Sequence, residues 1–143
     1  MRINKYMTAA LLLLASVAVP MSAMADDVLK VVIQVSTGDP LAQKIALNNA
    51  VNLQKDIGMD NIEIEIVAYG PGLSIMTPKS KESSRIPSLA QQNITFSACN
   101  NTIKKVTKKT GKKPTLVEGV STVPSGAMRI VQLQQQGYSY LRP

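Results

Sequence analysis

The 143-residue sequence contains one cysteine and no histidine. A single cysteine excludes an intramolecular disulfide. The missing histidines exclude His-ligated metal centres and any Cys–His or Ser–His catalytic pair. Aromatic residues make up 3% of the chain, too few for a base-stacking platform. GxSxG, a phosphate loop ending in GK[ST], GxGxxG after the first strand and CxxC are all missing. The 9 acidic residues include no convincing general acid/base pair. No apolar run beyond the first 25 residues approaches the length that spans a bilayer. These exclusions leave the single thiol as the foremost candidate for chemistry, with no metal or cofactor expected.

The first 25 residues read as a secretory signal peptide of the bacterial type. Arg2 and Lys5 form a short basic start, an apolar run follows from Ala9 to Val19, and Pro20 breaks it. Ala23-Met24-Ala25 then supplies small residues at −3 and −1 of a cut before Asp26. The mature chain, residues 26–143, is one domain's worth and is expected in the periplasm or outside the cell, with no membrane span after cleavage. An unpaired thiol in that oxidising compartment is buried, bridged between chains, or used. Removing Arg2 and Lys5 from 16 basic residues leaves 14 against 9 acidic, a formal charge of +5. For an exported protein this favours an acidic protein partner, a membrane surface or a small anion over nucleic acid.

Val28–Val35 is a near-continuous β-branched run, the mark of a strand buried on both faces. Ser36 to Asp39 turn the chain, and a helix is expected from Pro40 to Ile57, stopped by Gly58. Its core stripe is Ala42, Ile45, Ala46, Ala50, Leu53 and Ile57, with Asn49 inside that face. Leu47 and Val51 lie off the stripe and suggest a subunit contact. Ile62–Ala68 is the second strand, with Glu63 and Glu65 read as solvated charges. The glycines of Gly70-Pro71-Gly72 then permit close backbone approach at the strand's C-terminal end. Ser74–Gln92 is expected as a mobile loop ending in a short helix near Ser88–Gln92. Ile94–Ala98 is the third strand and leads into Cys99. The next helix turns Thr102, Ile103, Val106 and Thr107 inward and six lysines outward. Leu116–Val123 is the fourth strand, and Pro124-Ser125-Gly126 opens a last helix with Ala127, Ile130, Val131 and Gln134 inside. Tyr138–Leu141 is the final strand. The alternation predicts a three-layer α/β/α sandwich on a mainly parallel five-stranded sheet.

Cys99 therefore stands where a strand meets a helix N-terminus, a setting that favours thiolate. Asn100, Asn101 and Thr102 follow it and supply N–H groups, with the Asn101 and Thr102 side chains read as helix caps. The Gly70–Gly72 and Ser36–Asp39 loops are expected to emerge at the same end of the sheet. Two readings stay open at this level: a nucleophile, and the small buried hydrophobe that free cysteines usually are.

The chain resembles the DsrE/DsrF-like (YchN-like) family, in its exported single-domain branch. The resemblance rests on VVIQVSTGDP, ALNNAVNL, VAYGPGL, FSACNNT and GYSYLRP, in that order along the mature chain. It implies an α/β/α sandwich that assembles into trimers or hexamers. It also implies that Cys99 accepts sulfur as a persulfide and passes it on, as a cysteine does in the sulfur-relay members; the lysines of the helix after Cys99 would attract an anionic sulfur donor. The competing functions are a non-catalytic oligomeric binding protein with an inert cysteine, and a redox-sensing thiol that pairs between chains.

Overall fold

The computed structural model describes residues 28–143, so the expected signal peptide and the cut before Asp26 fall outside the described residues. Five strands form one sheet: β1 (Leu29–Val35), β2 (Ile62–Ala68), β3 (Ile94–Cys99), β4 (Val120–Val123) and β5 (Ser139–Leu141). Every pairing is parallel, in the order β4-β3-β2-β1-β5. The helices are α1 (Pro40–Ile57), α2 (Ile86–Ala90), α3 (Asn100–Thr110) and α4 (Gly126–Gln135). The expected α/β sandwich is what forms.

The connections dictate the layers. From β1 to β4 the chain steps across the sheet in one direction, and it then returns from the β4 edge to lie beside β1 as β5. Parallel crossovers are right-handed, so a reversal of direction moves the connecting helix to the opposite face. Accordingly, Val31, Ile33, Val35, Ile64, Ile66 and Phe96 pack on one face with Leu47 of α1, Leu89 of α2 and Ile103 of α3. On the other face Val32 and Val67 meet Ile130 and Leu133 of α4, with Tyr69 and Tyr138 packed beside them. Each fully buried Ile, Leu or Val contributes roughly 1.5–3 kcal/mol, so the first face carries most of the stability. The second has room for polar groups.

Several sequence expectations need correction. The buried arc of α1 is Gln43, Ala46, Leu47, Ala50 and Gln54, while Ile45 and Ile57 are exposed. Leu47 is 0% exposed and has no surface for a subunit contact, while Val51 is half-buried against the same core. The rotation follows from the two glutamines. Gln43 donates to Thr37 O and Ser74 Oγ at one end, and Gln54 donates to Gln92 O at the other. A buried amide with partners is tolerated, and these two take the place expected for Asn49, which is only half-buried. Residues 74–92 are not a plain loop. A 3-10 segment over Gly70–Met76 buries Ile75 and Met76, another spans Ser83–Arg85, and α2 buries Ile86, with Pro87 in its first turn, where a missing N–H costs nothing. The fourth strand shortens to Val120–Val123. In α4, Gly126, Ile130 and Leu133 are buried, whereas Ala127, Val131 and Gln134 face outward.

Candidate functional site

Cys99 is the last residue of β3 and the N-cap of α3. Its register partner on β4 is Val123, and from there the chain leaves through Pro124 and Ser125 into α4. Thus α3 departs above the sheet and α4 below it, from neighbouring strand ends. That divergence is the switch point of this topology, the place where open parallel sheets leave a crevice beyond their carboxyl ends. Cys99 occupies it. Two helix N-termini therefore face one sulfur.

The local chemistry follows. Burial raises the pKa of the Cys99 thiol. The N–H of Gly126 opposes it most strongly, followed by the N–H and hydroxyl of Thr102 and the N–H of Asn101. The donors prevail, and the thiol pKa lies below its ordinary value. The donors come from both helices: Asn101 and Thr102 from the first turn of α3, and Gly126 from the start of α4. Cys99 itself is 5% exposed.

Thr102 is the hinge of the arrangement. Its Oγ1 accepts a hydrogen bond from Gly70 N–H at 2.9 Å, which leaves the hydroxyl proton free to face the sulfur. The Gly70-Pro71-Gly72 loop thereby reaches Cys99 through one side chain. The loop can lie so close because of Gly72: a Cβ there would stand 2.0 Å from Val35 O. The α4 side is built the same way. A Cβ on Gly126 would meet Tyr69 Cβ at 3.0 Å and Cys99 Cβ at 3.2 Å, so glycine lets the helix end approach the thiol.

A polar cluster under α4 fixes that end. Glu65, 3% exposed, accepts from Arg129 Nε at 2.8 Å, Arg129 Nη2 at 2.6 Å and Ser97 Oγ at 2.6 Å. The carboxylate in turn raises the Arg129 pKa, first through these hydrogen bonds. Glu65 is thus a buried, paired charge, contrary to the reading of it as solvated. Glu63 is exposed and accepts from Tyr138 Oη. Burial, followed by that Glu63 bond, pushes the Tyr138 pKa up to about 12.

The sequence-derived residues divide into two groups. Cys99, Asn101, Thr102 and Gly70 come together, with Pro71 and Gly72 as their support. Asn101 contributes its backbone, and Thr102 binds the Gly70 loop instead of capping α3. The Ser36–Asp39 loop stays one layer back: Gly38 packs toward Pro71 Cβ, Ser36 Oγ accepts from Gln34, and Asp39 caps α1 by accepting from Leu41 N–H. The Asn100 side chain forms no hydrogen bond among the described residues. Gly126, Tyr69, Ser97, Glu65 and Arg129 were missed. Their connection to Cys99 depends on strand order, which the local signal of Pro124-Ser125-Gly126 as a helix start does not carry. Among the described residues no cluster of acidic, cysteine or histidine side chains could hold a metal ion.

Comparison with known proteins agrees with this fold. The model of the DsrE/DsrF-like family matches residues 29–143. A solved structure of a protein of unknown function from Methanobacterium thermoautotrophicum is similar at 32% identity and a TM-score of 0.71, covering 80% of this chain and 99% of that one. No curated protein matches.

Proposed function

The chain belongs to the DsrE/DsrF-like family, a family associated with sulfur relay, and from that premise we propose that it is a sulfur carrier working through a persulfide on Cys99. The observation that carries the reading is the convergence of two helix N-termini and the Thr102 hydroxyl on one thiol. In the proposed step the Cys99 thiolate attacks the outer sulfur of a donor persulfide. A new S–S bond forms, the donor's S–S bond breaks, and the donor leaves as thiolate. Delivery is the same exchange in reverse toward an acceptor thiolate, so no net oxidation occurs. Donors stabilise Cys99 both as nucleophile and as leaving group, and the lysines of α3 draw in an anionic donor. A persulfide also extends a buried side chain by about 2 Å, which suits delivery to another protein.

The reading includes an exported, periplasmic location for the mature chain and a homo-oligomeric state, trimer or hexamer. The test is intact mass analysis after loading with a sulfane-sulfur donor. Gain of one sulfur atom, lost in Cys99→Ser and released by cyanide, supports it. A competing reading draws on the 5% exposure of Cys99: an inert cysteine in a non-catalytic binding protein. It predicts no adduct and alkylation only of unfolded chain.

A further inference from the structure

A trough of about 720 Å³ lies between the 3-10 segment Gly70–Met76 and the C-terminal half of α3, closed at one end by residues 112–115. Pro71, Leu73, Pro78, Val106 and Pro114 give it an apolar floor. Lys79, Lys112 and Lys113 line its rim, and no acidic residue does. None of the three lysines joins an ion pair among the described residues.

The hydroxyls along the trough are turned into its own backbone. Ser74 donates to Pro71 O, Thr77 to Ser74 O, and Thr110 to Val106 O. A small-molecule site is fixed by a few convergent polar groups; here three of the four lining hydroxyls are already used, and Thr115 alone is left at the closed end. What remains is an apolar strip edged by three positive charges on long stems. That is the complement of an extended segment with apolar side chains on one side and carboxylates on the other.

We propose that this trough is a docking site for an acidic, apolar-containing peptide segment of a partner protein. The apolar side chains of the segment cover Pro71, Val106 and Pro114, and its carboxylates face Lys79, Lys112 and Lys113. The site does not depend on sulfur chemistry at Cys99.

The test uses a fluorescein-labelled peptide of alternating glutamate and leucine, titrated with the mature protein and followed by anisotropy. Lys79→Glu/Lys112→Glu/Lys113→Glu should weaken binding by about tenfold or more. Lys44→Glu/Lys55→Glu/Arg142→Glu carries the same charge change outside the trough and should weaken it by less than about threefold. Val106→Ser should weaken the leucine peptide more than a glutamate–serine analogue. Circular dichroism checks that each variant is folded. Equal losses in the two triple variants would reduce the effect to overall charge and overturn the proposal. So would equal binding of the serine analogue. A sedimentation shift showing that the trough variants release a second copy of the chain would also overturn it, since the trough would then be a subunit interface.

Discussion

Replacing Arg129 by methionine tests how the α4 end is held against Cys99. The substitution leaves the Glu65 carboxylate at 3% exposure with Ser97 as its remaining partner. Stripping one member from a fully buried ion pair costs roughly 3–5 kcal/mol. The Arg129 side chain is 32% exposed, so water can enter from its side, and the expected loss falls to about 2–3 kcal/mol. Glu65→Gln should cost less, about 1 kcal/mol, because a freed guanidinium at that depth can be hydrated. Glu65→Leu/Arg129→Met removes both charges and should lie within about 1 kcal/mol of the wild type. Urea unfolding at pH 7, with unchanged slope across the series, measures all three. The second readout is the pH profile of Cys99 alkylation by iodoacetamide. With its tether gone, the Gly126 N–H draws back from the sulfur, and the profile in Arg129→Met should move to higher pH. A double variant that loses as much stability as Arg129→Met alone, or more, would show that the pair is screened by solvent. An unmoved alkylation profile beside a large stability loss would refute the positioning argument.

Thr102→Val removes a hydroxyl donor from the thiolate, so the Cys99 alkylation profile should rise in pH while the rest of the chain stays folded. Because the folded thiol pKa is lowered, the thiolate contributes stability that is present above the unfolded thiol pKa and fades as pH falls through the folded one; Cys99→Ser should flatten that slope in urea titrations. Gly72→Ala places a methyl group 2.0 Å from Val35 O, and with backbone on both sides the loss should exceed about 3 kcal/mol in thermal or urea unfolding. Tyr138 should ionise near pH 12 in ultraviolet difference spectra. Its raised pKa contributes stability that is present below the unfolded tyrosine pKa and lost as pH rises toward 12, and Tyr138→Phe should remove that alkaline dependence.

The strands were legible in the sequence because each β-branched run is bounded by a turn signal: Val28–Val35 before Ser36-Thr37-Gly38, and Ile62–Ala68 before Gly70-Pro71-Gly72. Periodicity fixed the span of α1 but not its rotation. Two arcs of that helix are apolar enough to bury, and the choice fell to Gln43 and Gln54, whose partners Ser74 and Gln92 lie far along the chain. Glu65 was misread for a similar reason. An isolated carboxylate on a strand looks solvated until Arg129, from the other end of the sequence, is brought beneath it. The thiol's position at a strand-to-helix junction needed only local signals. Its second set of donors did not, because Gly126 arrives through a sheet order that right-handed crossovers restrict without determining.

The order β4-β3-β2-β1-β5 has a kinetic consequence. Val31, near the start of the described chain, pairs with Ser139, close to its end. Contacts of such sequence separation form late and slow the overall rate. Until β5 closes against it, β1 presents an open edge able to recruit a foreign strand. The same C-terminal stretch carries α4 and hence the Gly126 N–H. Until the last residues have found the first strand, Cys99 lacks the Gly126 N–H beside it, and only the Asn101 and Thr102 donors of α3 hold its thiol pKa down.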